Sequence, residues 1–243
     1  MQRFAWRQVV IAGLALLLLG SLGRVVAMNR AIAAVQSRLT ESGRWLKGVV
    51  VVVDPGHGGD DPGAVVAGTK EKYLVLDIAK ALKQMLEEQG ARVILTRDAD
   101  VDLGGRTREE LGKRVAMVGQ HRAQTYVSIH ANKDGCKCWG AQTFYAKHGG
   151  RPEGKQLAVA IQQRLRQMTP TTREALPADL FVLRESPVPS AMVEVGFLTD
   201  GAERQRLQDP LYQHKLATAV ALGLADFFRS QVPQTRSHGQ VGQ

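Results

Sequence analysis

The sequence contains only two cysteines, Cys136 and Cys138, with a single residue between them. Two thiolates are too few for a structural zinc site built from cysteine. A bridge across one intervening residue would close a small, strained ring. We therefore expect two loop thiols without a role, and a redox-labile bridge is the alternative.

Nucleotide-binding motifs are also absent. The chain has neither G-x-G-x-x-G nor G-K-[ST], so the Gly-rich turn at residues 56–59 does not match the known phosphate-binding loops. The net charge is +9, but residues 1–48 hold seven Lys/Arg against one acid, and the remainder holds 25 against 22. The excess therefore surrounds an N-terminal apolar segment, where positive charge orients membrane segments. Nucleic acid is not an expected partner.

No apolar run reaches the length of a comfortable membrane span. The uncharged run from Gln8 to Gly23 has 16 residues, against the ~20 that a spanning helix needs. Arg3 and Arg7 precede it, and Val25-Val26-Ala27 suits a signal peptidase, although Arg24 weakens that match. Residues 1–28 are thus either a cleaved signal peptide or an N-terminal membrane anchor. Both interpretations place the rest of the chain outside the cytoplasm, as a secreted or membrane-associated protein.

The remaining chain divides into three parts and shows no internal repeat. Residues 29–47 form a connector with apolar residues at helical spacing. Residues 48–230 form the globular domain, and residues 231–243, rich in Gln, Ser and Gly, form a flexible tail. We expect one domain with a full core.

Within the globular part, predicted strands alternate with predicted helices. The strands are expected at about 49–53, 92–96, 125–129, 141–145, 180–183 and 191–195. The helices are expected at about 71–89, 106–122, 153–168 and 210–228. This alternation predicts an α/β fold, a single domain with a mostly parallel twisted sheet of about six strands and helices on both faces.

Polar side chains follow or end three of these strands. His57 follows the five-valine strand, His130 ends the third, and Glu194 lies in the apolar strand Met192-Val193-Glu194-Val195. The carboxyl ends of parallel strands meet at one edge of the sheet, where ligands bind in open α/β folds. Glu71 opens the helix that begins at the same edge. The four side chains are expected to converge.

Two histidines and one carboxylate with an open position form a catalytic zinc set. Such a metal lowers the pKa of its bound water to ~7. A further carboxylate can then act as general base and later as general acid. Glu194 suits that role because desolvation in an apolar strand raises the pKa of a carboxyl group.

Each candidate also has a purely structural interpretation. Glu71 could serve only to place a negative charge at a helix N-terminus. His130 could be a core or turn histidine, and His57 a solvated loop residue. Glu194 is hardest to explain in that way, since an unpaired carboxylate in an apolar strand is costly. The remaining histidines are interpreted as bystanders: His121, His148, His214 and His238.

Four segments together resemble the zinc-dependent N-acetylmuramoyl-L-alanine amidases of the Amidase_3 type. They are Val53-Asp54-Pro55-Gly56-His57-Gly58-Gly59, Glu71-Lys72, Ser128-Ile129-His130-Ala131-Asn132 and Val193-Glu194-Val195-Gly196-Phe197-Leu198. They occur in the family's order over residues 49–229. The resemblance implies that His57, Glu71 and His130 bind one Zn²⁺ and that Glu194 is the catalytic glutamate.

Within that family the chain looks most like the germination-specific, spore-cortex subgroup. The likeness lies in the short N-terminal apolar segment, the lack of separate wall-binding repeats and the stretch at residues 140–145. It implies that peptidoglycan of the cortex is the partner and that muramic-δ-lactam formation follows the cleavage. The enzyme would then act between the mother-cell and forespore membranes. Tyr73, where the family often has an acid, and the Cys136–Cys138 insert depart from the pattern.

The implied reaction is hydrolysis of the amide between the lactyl group of muramic acid and L-alanine. Asn132, close to a ligand, is a candidate for holding substrate. Arg97 could bind a stem-peptide carboxylate, or it could simply pair with Asp98 or Asp100 at a strand end. Two other functions stay open: another secreted zinc peptidase of wall peptides, and a catalytically inactive wall-binding scaffold.

Overall fold

The computed structural model describes residues 44–105, 107–135 and 138–232. The predicted targeting segment 1–28, most of the connector 29–47, Cys136 and nearly all of the predicted tail lie outside the described residues. Among the helices that are described, none combines the length and the apolar character needed to cross a membrane.

The strands form one six-stranded sheet and a separate two-stranded hairpin. Their bounds are β1 Val50–Pro55, β2 Val65–Val66, β3 Thr69–Lys70, β4 Arg92–Leu95, β5 Thr125–Asn132, β6 Gln142–Ala146, β7 Leu176–Ala178 and β8 Ser190–Phe197. The main sheet has the order β4-β1-β5-β8-β6-β7, and β2 pairs with β3. All neighbours in the main sheet are parallel except β6 and β8. The predicted α/β sheet is confirmed.

Helices cover both faces of this sheet, as predicted. They are α1 Glu71–Glu88, α2 Thr107–Gln120, α3 Glu153–Met168, α4 Phe181–Arg184, α5 Gly201–Leu207 and α6 Pro210–Gln231. Among the described helices the three longest, α1, α3 and α6, pack on one face and build the larger apolar cluster. The shorter α2 and α4 cover the opposite face with a smaller cluster.

Strand β1 shows how one apolar run serves two faces. Val51 and Val53 belong to the larger cluster, whereas Val52 belongs to the smaller one. Successive side chains of a strand point to opposite faces, so a strand buried on both sides reads as continuous valine. By the same alternation, Asp54 continues the face of Val52.

One predicted strand is wrong. Residues 180–183 were expected to be extended, but Phe181–Arg184 is the short helix α4, and the strand of this region is β7 at Leu176–Ala178. A four-residue apolar run has too few positions to separate a helical from an extended period. Both patterns would bury Val182 and Leu183, which are buried here. The β2–β3 hairpin and α5 were not anticipated.

Candidate metal centre

The carboxyl ends of three adjacent strands bring the candidate residues together. Strands β1 and β5 pair with Asp54 opposite Ser128, and β5 and β8 pair with His130 opposite Glu194. His57 lies two residues beyond the end of β1. The predicted convergence at one edge of the sheet is therefore what the topology produces.

His57, Glu71 and His130 form a compact cluster of donor atoms. One atom from each side chain lies within 4.8 Å of the others. Glu71 Oε1 is 3.2 Å from His57 Nε2 and 3.0 Å from His130 Nδ1. The two imidazole rings meet edge to face, with centroids 4.9 Å apart. The three groups therefore face a common point.

Glu71 is held by the backbone on both sides. It is 4 % exposed and is the first residue of α1. Its Oε1 accepts a hydrogen bond from the amide of Ala131 (2.9 Å), and its Oε2 accepts one from the amide of Ala64 (2.8 Å). Burial alone would raise the pKa of Glu71, but the hydrogen bonds from His130 and His57 hold it well below its usual value. The carboxylate is ionised and fixed.

His57 is oriented by a second carboxylate. Its Nδ1 lies 2.6 Å from Asp61 Oδ2, which leaves Nε2 turned towards Glu71. Burial would lower the pKa of His57, but the hydrogen bonds with Glu71 and Asp61 outweigh it and raise the pKa to about 9. Histidines that bind metals commonly have their second ring nitrogen held by a carboxylate in this way. Asp61 was not singled out from the sequence, because its distance from the imidazole depends on the fold of the loop.

Two glycines leave the space that the cluster occupies. A Cβ at Gly56 would lie 2.1 Å from Cε1 of His130. A Cβ at Gly63 would lie 2.6 Å from both Glu71 Oε2 and His57 Cδ2, and Gly63 has a φ of +64° that disfavours other residues. The Gly-rich loop after β1 is thus required by the close approach of the imidazole and carboxylate groups.

Glu194 has a buried carboxylate oxygen without a partner. Its Oε2 makes no hydrogen bond with any residue that the structure describes. Desolvation raises the pKa of Glu194 from 4.5 to about 7; the nearby histidines oppose this shift, and Glu71 adds to it. A carboxyl group with a pKa near neutrality beside an imidazole and carboxylate cluster can accept and return a proton.

The donor set fits a zinc ion. Two imidazole nitrogens and one carboxylate oxygen are the protein ligands of several hydrolytic zinc sites, which keep a position open for water or substrate. The carboxylate that orients His57 supplies the outer contact that such ligands need. Glu194, whose buried Oε2 has no hydrogen-bond partner among the described residues, lies at the same edge of the sheet.

A cavity of about 230 Å³ adjoins the two histidines. Its walls come mainly from α2, α4 and the start of β8, and they are largely apolar: Leu111, Leu180, Phe181, Val182 and Met192. Its charged lining residues include Asp61 and Glu110. The cluster is therefore reachable from a recess large enough for part of a substrate.

Behind the cluster lies a buried network around Asp54 that the sequence did not reveal. Asp54 is 1 % exposed and accepts hydrogen bonds from four side chains, those of Thr96, Arg114, Tyr126 and Ser128, at 2.5–2.8 Å. Burial would raise the pKa of Asp54, but Arg114 and the hydroxyl donors hold it below its ordinary value. In the sequence, an aspartate at the end of a buried strand was the feature that could have indicated this network.

The two candidates for substrate contact lie in different surroundings. Asn132 ends β5, half-buried, two residues beyond His130. Arg97 is only 3 % exposed, and it donates hydrogen bonds to backbone carbonyl oxygens. Neither predicted ion pair, with Asp98 or with Asp100, is among its contacts. The guanidinium of Arg97 is instead bound to the carbonyl oxygens of Pro55, Gly56, Lys72 and Ala99.

The chain matches the family model for N-acetylmuramoyl-L-alanine amidase, Amidase_3, over residues 51–226. It is 37 % identical over 194 residues to a "Germination-specific N-acetylmuramoyl-L-alanine amidase" of Bacillus subtilis (strain 168). That alignment covers 75 % of this chain and 81 % of the relative.

Solved structures show the same likeness. The CwlD amidase from Clostridioides difficile, solved in complex with the GerS lipoprotein, has a TM-score of 0.70 and 33 % identity, covering 75 % of this chain and 100 % of that one. An N-acetylmuramoyl-L-alanine amidase from Clostridium difficile 630 has a TM-score of 0.70 and 30 % identity, covering 76 % and 100 %. The chain therefore belongs to the Amidase_3 family of N-acetylmuramoyl-L-alanine amidases, enzymes that hydrolyse an amide bond of peptidoglycan.

Proposed function

We propose that the enzyme is zinc-dependent and cleaves the amide between the lactyl group of muramic acid and L-alanine. The observation that carries this proposal is the convergence of His57, Glu71 and His130 beside the unpartnered carboxylate of Glu194. The three donors are assigned as ligands of one Zn²⁺. A zinc ion bound there supplies Lewis-acid polarisation of the amide carbonyl and acidifies water at its open position.

The side chains divide the remaining work. Glu194 takes a proton from the attacking water and delivers it to the leaving amine of L-alanine. Its pKa of about 7 lets it serve as base and then as acid near neutral pH. Asp61 holds the ring of His57 in the tautomer that presents Nε2 to the site. Asn132 is proposed to hold substrate beside His130.

A role in spore-cortex maturation is the finer part of the proposal. It is supported by the likeness to the germination-specific enzyme of Bacillus subtilis and to the CwlD amidase. Cleavage in cortex peptidoglycan would remove stem peptides from muramic acid, which precedes muramic-δ-lactam formation and is needed for germination. The enzyme would then act outside the cytoplasm, between the mother-cell and forespore membranes. The complex of the CwlD amidase with a lipoprotein makes a protein partner worth testing for this chain as well.

The domain boundaries follow from the same assignment. Residues 1–28 are proposed to export the chain or anchor it to a membrane, 29–47 to connect, and 48–230 to form the catalytic domain, followed by the tail 231–243. A protein lacking residues 1–28 should remain soluble without detergent. Aggregation of that protein unless detergent is present would count against the assignment.

Product analysis tests the reaction. The purified enzyme is incubated with cortex peptidoglycan, and the products are identified by mass spectrometry. An amidase releases peptides with an N-terminal alanine and leaves muramic acid without a stem peptide. A zinc peptidase would leave alanine attached to muramic acid, and an inactive scaffold would release nothing. Either of those two results would overturn the proposal.

The cortex role needs its own measurement. The gene is deleted in the source organism, and the cortex of its spores is digested and analysed by mass spectrometry. Loss of muramic-δ-lactam, restored by the wild-type gene but not by Glu194→Gln, is the expected result. A cortex with normal lactam content would assign the enzyme to another part of the wall.

A further inference from the structure

Two buried guanidinium groups form hydrogen bonds with the backbone of the loop that carries His57. Arg97 donates from Nε to the carbonyl oxygen of Pro55 (3.0 Å) and from Nη2 to that of Gly56 (2.7 Å). Arg114 donates to the carbonyl oxygens of Pro55 (2.9 Å) and His57 (2.8 Å). Three successive carbonyl groups are thus bound to arginine side chains, which leaves this segment little freedom to turn.

The segment bound by these two arginines includes a residue with an unfavourable backbone conformation. His57 has a φ of +62°, in the left-handed region that residues other than glycine rarely adopt. Such a conformation is unfavourable and persists only where surrounding contacts over-determine it. The hydrogen bonds to the carbonyl groups on both sides of His57 are contacts of that kind.

Arg97 also reaches the second ligand-bearing segment. Its Nη2 donates to the carbonyl oxygen of Lys72 (2.8 Å), the residue that follows Glu71 in the first turn of α1. Its Nη1 donates to the carbonyl oxygen of Ala99 (3.1 Å). One side chain therefore joins the His57 loop, the start of α1 and the loop after β4.

The burial of the charged side chain of Arg97 lowers the stability of the folded protein. In the described part of the chain Arg97 has no ion pair, whereas Arg114 pairs with Asp54 and Glu110. Burial and the neighbouring charge of Arg114 lower the pKa of Arg97. A buried charge without an ionic partner is expensive, and apolar side chains of similar volume often stabilise a protein more. Packing alone does not account for an arginine at this position.

We infer that Arg97 is a positioning residue that sets the distance between His57 and Glu71 before a metal binds. The inference rests on the proposed zinc site. Arg97 touches neither ligand side chain; it acts through the backbone of the loop that carries His57 and of the helix that begins with Glu71. Loss of its hydrogen bonds frees both segments. Metal binding must then also order them, which lowers the affinity of the site for the metal.

The test compares Arg97→Met and Arg97→Lys with wild type. Arg164→Met is the matched control, because Arg164 is a partly buried arginine that pairs with Asp226 between α3 and α6 and contacts none of the proposed ligands. Zinc affinity is measured by competition with a chromophoric chelator, and the apo-proteins are melted to obtain Tm. The absorption spectrum of the Co²⁺-substituted proteins reports ligand geometry.

Arg97→Met should raise the Kd for zinc by about 10-fold, the lower end of the range for groups bonded directly to a ligand, because Arg97 acts through the backbone. The Co²⁺ spectrum should change, and Arg97→Lys should fall between Met and wild type because it keeps one donor group. Arg164→Met should lower the apo Tm while leaving the Kd and the spectrum as in wild type.

Wild-type zinc affinity and spectrum in Arg97→Met would overturn the inference, whatever its Tm. If Arg97→Met does not fold, Arg97→Lys decides by the same two readings. Failure of wild type to bind zinc would instead overturn the proposed function, so the two failures are distinguishable.

Discussion

His130 and Glu194 lie opposite each other in register on the parallel strands β5 and β8. Register partners on adjacent strands point to the same face of a sheet. The pairing therefore places the imidazole of His130 and the carboxylate of Glu194 side by side on two adjacent strands. Their environments differ, since the imidazole meets Glu71 whereas Oε2 of Glu194 meets no donor among the described residues.

Removing either imidazole should remove the metal. His57→Ala and His130→Ala each delete one of three proposed ligands, so both variants should lose zinc, and a chelator should abolish wild-type activity. Metal content of the purified proteins by mass spectrometry is the measurement, with about one zinc expected in wild type. His214→Ala, which changes a histidine outside the cluster, is the control. Full zinc occupancy in either ligand variant would contradict the assignment.

Glu194 and Glu71 should respond differently to the same substitution. Glu194→Gln keeps the side-chain shape but cannot accept a proton, so turnover should fall by ~10²–10⁴-fold with zinc retained. Glu71→Gln should weaken zinc binding and reduce activity through that loss. Metal content and turnover are measured on both variants. The reverse pattern, a zinc-depleted Glu194→Gln with a metal-loaded but inactive Glu71→Gln, would refute the division of roles.

Glu194→Gln should also stabilise the apo-protein in a pH-dependent way. The pKa of Glu194 is about 7 in the folded protein against 4.5 ordinarily, so the folded state favours the protonated form. That contribution is present below pH 4.5 and is lost as the pH rises through 7. Glutamine stays neutral, so the Tm of the variant should exceed that of wild type by about 2–4 °C at pH 8 for each 1 kcal/mol relieved. The advantage should shrink at pH 5.

Melting curves across this range, recorded in the presence of chelator, test the effect. Glu88→Gln serves as the control because Glu88 lies at the exposed end of α1. A Tm difference that stays constant from pH 5 to pH 8 would show that Glu194 does not titrate in this window.

Zinc binding should release a proton from His57. Its pKa of about 9 means that the imidazole is protonated at pH 7.5 in the metal-free protein, and a ligand must be deprotonated to bind zinc. Affinity should therefore increase as the pH rises towards 9 and then level off. Calorimetry in buffers of different ionisation enthalpy measures the proton number, and Asp61→Asn should reduce it by lowering the pKa of His57. An affinity independent of pH between 7 and 9 would contradict this linkage.

Much of the fold could be predicted from the sequence because the periodicities are strong. The stripe of Leu74, Ile78, Leu82 and Leu86 predicted α1, and Glu153–Met168 has the predicted bounds of α3. The segment around Phe181 was wrong because a short apolar run fits either period. The convergence of His57, His130 and Glu194 could be predicted because parallel strands bring their carboxyl ends to one edge, and that of Glu71 because its helix begins at the same edge.

The contacts that hold the cluster could not be predicted in the same way. Asp61, Arg97 and Arg114 form hydrogen bonds of 2.6–3.1 Å. Such distances depend on how the loops after β1 and β4 fold against each other. From the sequence, Arg97 could bind a stem-peptide carboxylate or pair with Asp98 or Asp100 at the end of a strand. Only the packed structure shows that it is buried and bonded to the backbone.

The amino-acid sequence by itself determined the class of fold, the convergence of strand ends at one edge of the sheet and the identity of the candidate donor groups. These properties depend on local patterning and on residue chemistry, which are the same in the unfolded and the folded chain. Tertiary structure decided the contacts of Glu71 with His57 and His130, the hydrogen bonds around Asp54 and the burial of Arg97. Each of these depends on distances of a few ångströms between segments remote in sequence, and such distances exist only once the core has packed.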